Sequence, residues 1–414
     1  MGEMMKSNTC RTLMLTVACL SSFTFNNAFA HGPANADSTT DRAIQFPDIS
    51  GYQTLVVDLH THTSFSDGHV WPKIRMEEAL RDGLDAIAVT EHLEYQPHLG
   101  DIPHKDRNRA YEISVDAAKQ TDLLVIPGSE ITRQDEAGHM NAVFISDANK
   151  LMHVANPPQD PHDTTAYYQA AASWPAQNAV DAAHAQGAFV FWNHPFWTPA
   201  TPDGITKMTK FHKANIKAGK LHGIEVANGP AYSEETHAIA LKYDLVMIGV
   251  SDVHDLIDWD YEPHNGGHRP VNLVFAKERS SAGVKEALFA KRTVIWFKNL
   301  LIGREPEIDS LLNASLEITE AKYRLGTMIV DVTITNNSDA RMQLLNQSDF
   351  TFMEYGDRIE VTPHASVKVG VKPGKLLDKL DLEFEVENAL IAPKTHASLK
   401  LKTSITATQL GGSH

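Results

Sequence analysis

Leu55-Val56-Val57-Asp58-Leu59-His60-Thr61-His62, followed after a short turn by Ser66-Asp67-Gly68, decides how the rest of the chain is read. A short apolar run that ends in alternating imidazoles reads as a buried strand that delivers polar groups at its C-terminal end. The same form recurs downstream. Residues 86–89 lead into Thr90-Glu91-His92, residues 123–126 into Pro127-Gly128-Ser129-Glu130, residues 188–192 into Asn193-His194-Pro195, and residues 245–250 into Ser251-Asp252-Val253-His254. Gly138-His139-Met140-Asn141 precedes the run 142–145, and 224–227 completes the set. Helical stretches are expected at 72–81, 109–120, 174–186, 233–241 and 281–290. The first of these opens on Pro72 and has Gly83 just past its end, the usual placement of both residues. Strands alternating with helices predict an α/β fold. A distorted seven-stranded β/α barrel is favoured over an open doubly wound sheet, with its polar groups converging on one face.

The pattern changes after about residue 305. Segments 327–335, 358–361, 366–371, 381–387 and 398–402 read as strands, with clear alternation in Leu382-Glu383-Phe384-Glu385-Val386. Asn336-Asn337-Ser338-Asp339 and Lys372-Pro373-Gly374 are turn clusters between them. A small antiparallel β-sandwich is therefore expected over 305–414, after the β/α barrel over 51–304.

Residues 1–30 read as a secretory signal peptide. Lys6 and Arg11 make a basic start, 13–25 is mostly apolar, and Ala28-Phe29-Ala30 stands before His31 as a cleavage site. Residues 31–50 read as a flexible lead-in. A periplasmic or secreted protein follows from this, and no later stretch has the roughly 18 apolar residues of a membrane span. Both cysteines, Cys10 and Cys19, fall in the leader, so the mature chain would bind metal only through nitrogen and oxygen. With 37 Lys+Arg against 52 Asp+Glu the net charge is −15, which argues against a nucleic-acid polymer as main partner. The 21 histidines are the outlying count, and most lie before residue 305.

His60, His62, Asp67, His92, Glu130, His139, His194, Asp252 and His254 are the candidate metal ligands. They exceed the four or five that a single ion takes, so a cluster of two or three ions is expected. Clustered divalent ions suit hydrolysis of phosphate esters.

These motifs resemble the polymerase-and-histidinol-phosphatase (PHP) superfamily over about residues 52–300. The resemblance implies a distorted β/α barrel with three divalent ions (Mn, Zn or Fe). His60, His62, Glu130 and Asp252 would hold the first. Glu130, His139 and His194 would hold the second, and Asp67, His92 and His254 the third. The segments 92–109 and 268–274 are similar to a secreted bacterial branch, the Sb-PDE-like phosphodiesterases, which act on small organophosphate diesters. The implied reaction is ester hydrolysis by a metal-activated hydroxide. Arg107, Arg109 and Arg269 are candidates for holding phosphate oxygens, and His222 and His268 for protonating the leaving group. Asp58 is expected to support His60 or His62, and Phe65, Tyr95 and Trp197 to line the ester pocket. Competing readings are a phosphomonoesterase, an amidohydrolase and a non-catalytic metal-binding protein. The C-terminal module would stabilise the chain or form a homodimer.

Overall fold

The computed structural model describes residues 42–406. The expected signal peptide, and the lead-in up to residue 41, lie outside the described residues.

Strands β1 (Gln53–Asp58), β2 (Ala86–Val89) and β3 (Leu124–Ile131) run parallel in that order, joined through α1 (Pro72–Arg81) and α2 (Arg109–Ala118). β1 and β2 are buried almost throughout, which is why their sequences read as continuous apolar runs. β4 (Met140–Val143) breaks the expected parallel order. It is antiparallel to β3 and to β5 (Phe189–Trp192). The link from Ile131 to Met140 is too short for a crossover, which takes a dozen or more residues, so the chain turns back as a hairpin. Helices α3 (Thr164–Ala172) and α4 (Ala176–Ala185) lead to β5, and α5 (Lys210–Lys217) leads to β6 (Gly223–Asn228). After the short β7 (Ala231–Tyr232) and α6 (Glu234–Lys242) comes β8 (Val246–Val250), which is parallel to β6. Past α7 (Ile257–Asp260), β9 (Val271–Ala276) returns antiparallel to β1. α8 (Ser281–Phe289) then leads to β10 (Thr293–Phe297) and β11 (Leu300–Gly303), which extend the sheet. The first half is thus a mixed sheet rather than seven parallel strands.

The segments just past the C-terminal ends of β1 and β8 bond to each other. Asp252 N donates to His60 O at 2.9 Å, and His62 N to Val253 O at 3.1 Å. Deeper in, a side chain does the work of a ladder. Asn272 of β9 accepts from Gly249 N at 3.1 Å and donates to Gly249 O at 2.7 Å. Gly249 is bare because a Cβ there would lie 2.2 Å from Ile295 Cγ2.

The chain continues through α9 (Glu305–Ser315). β12 (Leu316–Tyr323), β13 (Val330–Asn336), β15 (Thr351–Met353) and β17 (Ser366–Lys372) form one antiparallel sheet. β14 (Met342–Asn346), β16 (Arg358–Val361), β18 (Lys379–Ala392) and β19 (Thr395–Ser404) form the other layer, antiparallel throughout. Val332, Ile334 and Val369 of one sheet share a core with Leu344, Leu382 and Phe384 of the other. β18 also pairs in parallel with β11, so one sheet runs from the first half into the second. Among the described residues no helix is long and apolar enough to cross a membrane.

Candidate metal centre

The expected ligands converge where β1, β2, β3, β5 and β8 end. Their donor atoms form three overlapping groups, each within 4.8 Å: His62, Asp67, His92 and His254; His60, His62 and Asp252; and His92, Glu130 and His139. His194 joins them, with Nε2 at 3.6 Å from Glu130 Oε1 and 3.8 Å from Asp252 Oδ2. His60, His62 and Glu130 are fully buried, while the His254 side chain keeps 33% of its exposure and Asp67 21%.

The backbone is bent to deliver two of these groups. His194 has φ of 25° and Asp252 φ of 51°, in a region that non-glycine residues seldom occupy. Strain of this kind persists only where the surroundings hold it, and it concentrates at functional sites. Here Glu225 accepts from His194 N at 2.6 Å, and Asp252 N is tied to His60 O.

Burial pulls every imidazole in the cluster toward neutrality, and the carboxylates oppose it. His60 ends well above its ordinary value because Asp252, Glu225 and Glu130 surround it. His62 goes the other way, down to about 3, through burial and the cations of His254 and His92. Burial would lower His254 too, but Asp67 and Asp252 lift it to about 9. Burial would raise Glu130, yet His92, His60 and His139 hold it well below the carboxylate range. Glu130, Asp252 and Asp67 are thus held ionised chiefly by the charge on neighbouring rings, a role that divalent cations fill directly. Glu130 Oε2 marks the need. It lies 2.7 Å from His92 Nδ1, but that nitrogen is bonded to Thr132 Oγ1 at 2.6 Å, and the buried oxygen makes no hydrogen bond. An imidazole and carboxylate set without thiolates fits Mn, Fe or Zn.

A PHP-domain sequence model matches residues 58–247, and an Ig-like domain model matches residues 316–402. The crystal structure of a two-domain protein from Bacteroides vulgatus, containing a predicted PHP-like metal-dependent phosphoesterase, is 38% identical. That match covers 88% of this chain and 100% of the other, with a TM-score of 0.78. The chain belongs to the PHP superfamily of metal-dependent phosphoesterases. It is a phosphoric ester hydrolase with a C-terminal Ig-like module. Weaker likeness extends to a metal-dependent phosphoesterase candidate from Bifidobacterium adolescentis (19% identity, 48% of this chain, 87% of that one, TM-score 0.35). An amidohydrolase from Chromobacterium violaceum with bound sulfate and no metal is similar at the same level (16% identity, 48% and 87% coverage, TM-score 0.34). No curated protein matches the sequence.

Several residues expected at the PHP site lie elsewhere. His222 sits at the opposite end of β6, where Nδ1 accepts from Val190 N at 3.0 Å and Nε2 donates to Gly219 O at 3.0 Å. His268 stacks on Trp296 with ring centroids 3.4 Å apart and donates to Arg269 O. Neither can protonate a leaving group at the cluster. Arg269 is buried beneath the site, bonded to Asp82 at 2.5 Å and 2.8 Å and to Asp58 at 3.3 Å. Arg109 is exposed on α2, 3.5 Å from Glu112. Arg107 is turned to His104 at 2.8 Å and Tyr167 at 2.5 Å. None of the three points at the ligands, because each already has a partner nearer its own element. Asp58 does not support an imidazole either; its carboxylate accepts from Ser251 N and Oγ and faces Arg269. Phe65 is buried beside a small void behind His92 and does not line the open cavity.

The supports that sequence reading missed are Glu225 and Arg75. Glu225 Oε1 lies 2.7 Å from His60 Nδ1, which fixes that ring's proton and turns Nε2 toward Asp252 and Glu130. Arg75 of α1 is wholly buried and donates to the carbonyls of His62 (3.2 Å), His254 (3.2 Å) and Asp255 (2.9 Å), joining two ligand loops. Asn193, quoted only as a neighbour of His194, donates to Glu130 Oε1 at 2.9 Å. A charged residue within an apolar strand was the available signal for Glu225. Arg75 had none, since a helical arginine reads as surface.

A cavity of about 680 Å³ opens over the cluster, bounded by Asp67, His92, His139, His194, Asp252 and His254. Tyr95, Tyr168, Thr164, Gln169 and Trp197 form its outer wall. Trp197 stands 5.8 Å from the His139 ring and 5.6 Å from the His194 ring, as a partition at the mouth.

Proposed function

We propose that this PHP enzyme hydrolyses small phosphate diesters at a centre of three divalent ions. The observation that carries the reading is the cavity wall: no Lys or Arg among the described residues lines the space over the cluster. A monoester brings two negative charges at neutral pH and a diester one. Once the arginines are committed elsewhere, the wall offers no Lys or Arg for the second charge.

The ions would be held by His60, His62, Glu130 and Asp252, by Glu130, His139 and His194, and by Asp67, His92 and His254. Bound there, divalent cations supply a hydroxide nucleophile at neutral pH and Lewis-acid stabilisation of the phosphoryl oxygens. The protein's part is orientation. Glu225 holds the His60 proton on Nδ1, and Thr132 bonds Nδ1 of His92, so in both rings Nε2 faces the cluster. Arg75 keeps the His62 and His254 loops at fixed separation. Trp197, Tyr95 and Tyr168 enclose the ester groups.

Turnover of bis(4-nitrophenyl) phosphate against 4-nitrophenyl phosphate, with Mn, Zn or Fe, tests this. We expect kcat/KM for the diester to be higher by about tenfold or more. A monoester preference would overturn the diester reading, and inactivity on all phosphate esters would overturn the whole assignment.

The same proposal places the domain boundary at 304/305, where α9 begins, removes residues 1–30 on export, and locates the enzyme in the periplasm or medium. Exposed Leu325, Met328 and Leu376 on the Ig-like module support its use as a homodimer face.

A further inference from the structure

Trp197 has space on both sides. Beyond it, sharing the His139 and His194 edge, lies a second chamber of about 670 Å³. Its character differs from the first. Asp135, Glu136 and Asp203 line it, together with Trp192 and Trp197. Lys207 is spent on Asp203 at 2.5 Å, and Arg133, with a side chain 1% exposed, is paired with Glu94. Burial holds His212 down to about 4, so the ring that stacks on Trp192 at 3.7 Å is neutral. Neither Asp135 nor Glu136 is ion-paired to a described residue, and both are exposed to the chamber. Gly138 leaves the edge of Trp192 open; a Cβ there would sit 3.1 Å from its Nε1. Trp197 supplies the facing aromatic wall and is 46% exposed.

Resting on the diester reading above, we propose that this chamber receives one alcohol group of the diester and selects a cationic one, an amino or quaternary-ammonium alcohol. The exposed indole of Trp197 and two carboxylates without an ion-pair partner are the chemistry that holds such a group, because an ammonium is attracted to an aromatic face and to nearby negative charge. An anionic alcohol meets repulsion there, and a neutral one gains burial alone. The other ester group occupies the chamber under Tyr95 and Tyr168, whose outer wall carries no charged side chain. The phosphorus then lies at the shared His139 and His194 edge, with Trp197 between the two arms.

Two 4-nitrophenyl diesters separate the alternatives, one carrying choline and the other its uncharged 3,3-dimethylbutyl isostere. Both release nitrophenol and differ only in charge. With the metal-loaded full chain, the choline ester should show kcat/KM higher by about tenfold. That ratio should shrink as salt rises from about 0.05 to about 0.5 M. In the double variant Asp135→Asn, Glu136→Gln it should fall to near one, with the melting temperature confirming a folded protein. A ratio near one in the unmodified enzyme, or a ratio that survives the double variant, overturns the chamber's assignment even if bis(4-nitrophenyl) phosphate is cleaved. Failure to cleave any diester instead overturns the reading beneath it.

Discussion

His60 shows how little a ligand's identity says without its neighbours. The ring is fully buried, and only Glu225 at 2.7 Å decides which nitrogen carries the proton. Replacing Glu225 by Gln keeps the size and removes the charge. It should lower metal affinity or activity by about 10–100-fold, seen as a shifted metal-titration curve for turnover. The ligands themselves are less forgiving. His62→Ala or Glu130→Ala should abolish ester hydrolysis while circular dichroism stays native, since each lies in more than one relation: His62 in two donor groups, Glu130 against His92 and His139. Full turnover by either variant would remove the cluster from the mechanism.

At the scale of elements, the junction between β8 and β9 depends on one amide. Asn272 satisfies both backbone groups of Gly249 inside the sheet. Asn272→Leu leaves a buried N–H and C=O without partners and should cost about 2–4 kcal/mol, measured as a lower urea midpoint. Gly249→Ala tests the other side of the same contact. A Cβ 2.2 Å from Ile295 forces β8 and β10 apart and should cost about 1–3 kcal/mol. Both changes lie directly below Ser251 and Asp252, so lost stability should come with lost metal affinity. Helix α1 was legible from its leading proline, whereas α3, α5, α7 and α9 were not expected. The direction of β4 was not, because a strand's residues do not tell which way its neighbour runs.

For the whole molecule, acid should unfold the protein through histidines outside the cluster. His212 donates to Ala137 O and accepts from Thr209, and His237 bonds Tyr232; burial pushes both down to about 4. Their folded-state values lie below the unfolded value near 6.5, so the unfolded chain binds the proton more tightly. Stability is complete above about pH 6.5 and falls as pH drops toward 4, by on the order of 3 kcal/mol per site. Melting temperatures between pH 7 and 4.5 should therefore decline, and the decline should be smaller in His237→Gln. An unchanged slope in that variant would remove His237 from the effect. The Ig-like module belongs to the same scale. Removing residues after 304 strips β18 from β11 and bares an apolar strand edge, so soluble yield should drop while the chemistry of any folded fraction is retained.

What the sequence alone determined was the set of candidate ligands, which the fold brings together, and the strand ends that carry them. Imidazoles and carboxylates after apolar runs are local signals, and local signals survive without a structure. The tertiary structure alone decided what those groups lean on and which charges remain free to meet substrate. Arg75, Arg107, Arg109 and Arg269 are one residue type with four fates: a buried clamp on carbonyls, a tie between His104 and Tyr167, a surface helix pair and a buried bridge to Asp58 and Asp82. A charged side chain takes its role from its burial and from the partner that neutralises it, and those partners can stand two hundred residues away along the chain.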